Sequence, residues 1–165
     1  MFSKSSALPQ KKYNFTLILL IVISLATSSC SLLGDKAPSG ALRKILLGLS
    51  TGHIRAVFNA DMEAIGQTAN LASYLSRRQI PSRKDFLAQL KSAQPVWEKH
   101  SQILQTLRAM DVSTKESVAQ VIFEAASPKG PIRLAVFLEW SGGGWMIVDD
   151  NIFGSQGFYE VVSGL

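Results

Sequence analysis

Apolar residues fall along this chain in distinct rhythms, and each rhythm predicts a different kind of element. Residues 15–26 (FTLILLIVISLA) form an unbroken apolar run without a charge. Residues 41–76 follow helical spacing, first through Leu42, Ile45, Leu46 and Leu49. The stripe then continues through Ile54, Val57, Phe58, Met62, Ile65, Leu71, Ala72 and Leu75. The glycines of residues 48–52 (GLSTG) offer a point where this stretch divides into two helices. Residues 59–61 (NAD) offer a second break, and residues 80–82 (IPS) a firmer one. Ser82 followed by Asp85 resembles a capping box with aspartate in place of glutamate, so a short helix starts there and buries Phe86, Leu87 and Leu90. Gln94-Pro95 is expected to end it.

Residues 97–110 fit two periods. Trp97, His100, Leu104 and Leu107 fall at helical spacing, while alternate residues from Ile103 to Met110 fit two faces of a strand. A strand over about 102–112 is the favoured reading. Beyond it the pattern is plainer. Residues 117–126 (SVAQVIFEAA), 132–140 (IRLAVFLEW) and 145–150 (WMIVDD) are short runs rich in β-branched and aromatic side chains. SPKGP and SGGG separate them, which predicts an antiparallel meander with glycines supplying positive φ in the second turn. Residues 154–165 are a tail that makes either a last strand turn or a short docking helix. Helices first and antiparallel strands afterwards make an α+β chain, with helices packed on one face of the sheet.

The N-terminal run belongs to neither part. Lys4, Lys11 and Lys12 precede it, small residues follow it, and the only cysteine of the chain, Cys30, comes next. A positive region, an apolar region and small residues before a cut make a secretory signal. A lone cysteine just beyond that cut resembles the lipobox of bacterial lipoproteins, with Ser28 and Ser29 in the two small positions and Thr27 where that family usually has leucine. The resemblance implies that Cys30 receives diacylglycerol, that residues 1–29 are removed and that membrane lipid is the first partner. Residues 30–40 (CSLLGDKAPSG) then form a tether reaching at most about 35 Å, and residues 41–165 a single α+β domain. The alternatives are an uncleaved single-span anchor, for which a dozen apolar residues is short against roughly 20, and a soluble secreted protein. Serine after Cys30, where aspartate would resemble an inner-membrane retention signal, points to the outer membrane facing the periplasm in an organism that has one.

Removing the signal also changes the charge. All 12 acidic residues lie after Cys30 but only 14 of the 17 basic ones do, so the formal charge falls from +5 to +2. Nucleic acid is therefore not an expected partner. Arg77-Arg78 and Arg83-Lys84 form one basic cluster, read as a solvated helix end and turn or as a contact for anionic headgroups. With one cysteine the domain has no disulfide and relies on its core.

Residues 54–65 (IRAVFNADMEAI), 82–90 (SRKDFLAQL) and 144–149 (GWMIVD) together resemble the first helix, the helix before the sheet and the terminal strand of the NTF2-like, cystatin-like α+β cones. That resemblance implies a curved sheet enclosing a pocket against the helices. Acids and histidines inside such a pocket do acid/base work in the family's enzymes. The candidates here are Glu139, Asp149, Asp150, His53 and His100. Strict alternation along WMIVDD puts Asp149 with Trp145 and Ile147, and Asp150 with Met146 and Val148, so one aspartate can point inward. Glu139 and Asp149 stand as the pocket carboxylates. His53 is expected near a helix start. The two histidines lack metal-ligand spacing, and the triple glycine lacks the lysine and helix of a phosphate loop, so no metal or cofactor is implied.

The reading is a membrane-anchored envelope lipoprotein with a non-catalytic domain for a protein partner or a small apolar ligand. Two alternatives stand beside it: a subunit of an envelope secretion or transport complex with an uncleaved anchor, and a small enzyme using a buried carboxylate as base.

Overall fold

The structure is a computed structural model that describes residues 38–165. Cys30, the signal and nearly all of the tether lie outside the described residues. Five helices come first: α1 (Gly40–Phe58), α2 (Met62–Thr68), α3 (Leu71–Arg77), α4 (Arg83–Lys99) and α5 (Ser101–Gln105). Four strands follow, β1 (Arg108–Lys115), β2 (Val118–Ala125), β3 (Ile132–Ser141) and β4 (Gly144–Asp150), and then α6 (Phe158–Ser163). The strands make one antiparallel sheet in the order β1-β2-β3-β4. The expected α+β organisation and meander are therefore present. No helix among the described residues is long and apolar enough to cross a membrane.

Four of the helix starts carry a local cause. Ser39, Asp61, Asn70 and Ser82 accept from the backbone N–H three residues on, at α1, α2, α3 and α4. At α4 Ser82 Oγ also donates to Asp85 Oδ2 at 2.6 Å, so the Ser–Asp pair marks the helix start as expected, with Asp85 bound to the Ser82 hydroxyl in place of the backbone N–H of a full capping box. The break at residues 59–61 is real, since Ala60 takes a φ of 52° between the Asn59 cap and the Asp61 cap.

Two expected breaks do not occur. α1 runs unbroken through Gly48 and Gly52, because its buried stripe (Leu46, Ser50, Ile54, Val57) continues across them. α4 runs on through Pro95 to Lys99. Phe86, Leu90, Ala93 and Trp97 hold one buried face across the proline, and Trp97 packs on Phe58 at 4.8 Å and Tyr159 at 5.1 Å between ring centres. Pro95 and Lys91 are both exposed, so the break in the hydrogen-bond ladder falls on the solvent face of the helix.

The expected strand over 102–112 divides. Its first part is α5, and the strand proper starts at Arg108. Thr106 makes the switch, donating its hydroxyl to the Ile103 carbonyl at 2.7 Å and accepting from Ala126 N at 2.8 Å. In the β3–β4 turn Gly142 and Gly143 have φ of +62° and +93°, as expected for a two-residue hairpin. The tail makes a docking helix, α6, which buries Phe158 and Val162.

The core lies between the helices and one sheet face. Ala119, Val121, Phe123 and Ala125 of β2 face Leu138, Val136, Leu134 and Ile132 of β3, and all eight are buried. A bulge between Phe137 and Leu138 disturbs the β3–β4 register. Leu138 pairs with Ile147 and Phe137 with Asp149, so Val148 is the extra residue.

Candidate functional site

That extra residue decides which aspartate goes inside. Past Val148 the alternation is reset, so Asp150, opposite Val136, shares the inner face with Ile147. Its side chain is fully buried, whereas that of Asp149 is 36% exposed. Helix α1 brings His53, whose Nε2 donates to Asp150 Oδ2 at 3.0 Å. Helix α3 brings the Tyr74 hydroxyl, which donates to the same oxygen at 2.5 Å. Arg78, the residue that caps α3, donates Nη2 to Asp150 Oδ1 and, at 2.5 Å, to the Asp150 carbonyl. Ile152 N–H donates to Oδ1 at 2.7 Å. Behind the ring, His53 Nδ1 lies 3.4 Å from Thr68 Oγ1. Arg78 also sits over the Tyr74 ring at 4.6 Å.

Burial alone would raise the Asp150 pKa. The Arg78 guanidinium, then the His53 and Tyr74 donors, outweigh burial and hold the carboxyl below its usual range. Tyr74 is pushed well up, by burial first and by the Asp150 charge second. Burial pulls Arg78 down, but the Asp150 carboxylate keeps it above its ordinary value. Asp149 is raised by burial, against the pull of Arg78.

The arrangement is saturated. A carboxylate has about four acceptor positions, and the side chains of Arg78, His53 and Tyr74 with the Ile152 N–H supply four donors. An anion held this way is a poor base, because taking a proton would break a charge-assisted bond. It ties α1, α3 and the end of β4 together.

The other sequence candidates do not join it. Glu139 is partly exposed and pairs with Arg77 at 2.5 Å. Asp149 lies 3.6 Å from Arg78 at the surface side. His53 is buried towards the C-terminal end of α1, not near its start, and His100 is the half-buried junction of α4 and α5. Arg77 fits the solvated helix end, while Arg78 departs from it as a buried ion partner. No signal in the sequence separates Arg78 from the identical Arg77 beside it; only the fold turns one of them inward. No group of three or more acids, histidines and cysteines among the described residues is placed to hold a metal ion.

A different feature has room for a molecule. A groove of about 640 Å³ runs between α1, α5 and the β1–β2 side of the sheet. Leu47, Ile54, Phe58, Leu104, Leu107 and Phe123 make its apolar walls. Thr51, Asn59 and Gln105 add polar edges, and Arg55 is its single charged residue. Its volume and mainly apolar lining fall within the usual range of small-molecule sites. None of Glu139, Asp149, Asp150 or His53 lines it. No protein-family model, no curated protein and no solved structure matches this chain.

Proposed function

We propose that this chain is an envelope lipoprotein, held to the membrane through acylated Cys30, whose domain binds a small apolar ligand without catalysis. The groove between α1, α5 and the sheet carries this reading: it is roomy, apolar and separate from the saturated Asp150 cluster. The helices on one face of a bulged four-stranded sheet also support an NTF2-like cone, in which such a groove is the mouth of the enclosed space. The lipobox-like Ser28-Ser29-Cys30, after a lysine-led apolar run, supports the anchor.

Ala109 lines the groove and is exposed, so Ala109→Trp fills the space without disturbing the core. A neutral polarity-sensitive dye is expected to bind the wild-type chain and to lose most of that binding in A109W, read by fluorescence. Equal binding by both proteins would contradict the groove as the site.

A further inference from the structure

We infer that the groove takes a single-chain carboxylic acid of the fatty-acid class, with Arg55 holding its headgroup. This inference rests on the groove being the binding site. Four aliphatic and two aromatic side chains make its walls, and no acidic residue lines it. Arg55 is exposed at its edge, and its side chain makes no hydrogen bond or ion pair among the described residues. The neighbouring arginine, Arg108, already faces Glu124 at 3.7 Å. Among the described residues the Arg55 guanidinium therefore has no anionic partner, and it stands beside apolar walls, so the complement is an apolar body ending in a negative charge.

The number of cations selects the kind of anion. One guanidinium matches one planar carboxylate through two parallel N–H···O bonds. A phosphate carries more charge and calls for more cations than this groove presents. Thr51, Asn59 and Gln105 line the same groove and offer polar groups at its edges. The apolar walls supply most of the affinity through burial. Arg55, being exposed, supplies selectivity of about fivefold or less.

The test uses the full chain in phosphatidylcholine vesicles with two photoactivatable diazirine probes of equal length, a decanoic acid and a decanol, and maps labelled peptides by mass spectrometry. The expected result is labelling of the α1 and α5 groove peptides by both probes, with the acid ahead by about threefold to fivefold. Arg55→Gln should remove that preference while leaving alcohol labelling in place, and Arg55→Lys should retain part of it. Equal labelling by acid and alcohol in the wild-type chain would overturn the carboxylate inference and leave the groove reading standing. An acid preference that survives R55Q would do the same. Labelling of neither probe in the groove would overturn both. Acid labelling that appears only in Cys30→Ser would mean that the chain's own acyl group fills the groove, and would also overturn the inference.

Discussion

Asp150 shows how much depends on one residue. Its carboxylate is fully buried and joins two helices to the end of a strand. Breaking a buried ion pair by removing one partner costs about 3–5 kcal/mol. Asp150→Ala is therefore expected to lower unfolding free energy by about that amount in a urea titration, and Tyr74→Phe by about 1.5–3 kcal/mol. The pH dependence follows from the direction of the shift. The folded-state pKa of Asp150 lies below the ordinary value, so its contribution is fully present above about pH 4 and is lost as pH falls through the folded pKa. Tyr74 works at the other end. Its raised pKa gives a contribution that is present below about pH 10 and is lost above it. Urea midpoints measured across pH should fall at both extremes in the wild-type chain, and the acid limb should flatten in D150A. An unchanged acid limb would contradict the role given to this carboxylate. Strict alternation along WMIVDD singles out Asp149 as the residue sharing a face with Ile147. The bulge at Val148 hands that place to Asp150, and a bulge leaves no mark in a short run of apolar residues.

At the scale of elements, the most legible parts were those with punctuation. Pro128, Gly130, Pro131 and the glycines at 142 and 143 bound the strands, and Ser82 with Asp85 opens α4 where the residue spacing says. Residues 97–110 were not legible, because Leu104 and Leu107 satisfy a helical period and an alternating one alike. Tertiary packing settles them: Trp97 enters an aromatic cluster with Phe58, Phe153, Phe158 and Tyr159, and that contact carries α4 past Pro95. If packing overrides the proline in this way, Pro95→Ala should restore a backbone bond to Lys91 and stabilise the chain by about 1–3 kcal/mol. Thermal denaturation followed by circular dichroism checks this, and a lower midpoint in P95A would argue that the proline is instead required for the α4–α5 geometry.

For the whole molecule, the division of labour is between a scaffold and an opening. The saturated Asp150 cluster lies on the α3–β4 side, and the groove lies on the α5–β1 side, with α1 contributing to both through His53 and Phe58. The α+β layout was readable from the order of periods along the chain. The groove was not, because Leu47, Ile54, Phe58, Leu104 and Phe123 look in sequence like ordinary core residues. Only their placement leaves space between them. The proposed function requires a lipid-held chain with an apolar ligand in that space. A native mass spectrum of protein extracted from its own membranes tests this most directly. The expected mass is that of residues 30–165 plus an acyl-bearing lipid, with a further non-covalent adduct that A109W loses. A chain that still begins at Met1, or an adduct that persists unchanged in A109W, would contradict it.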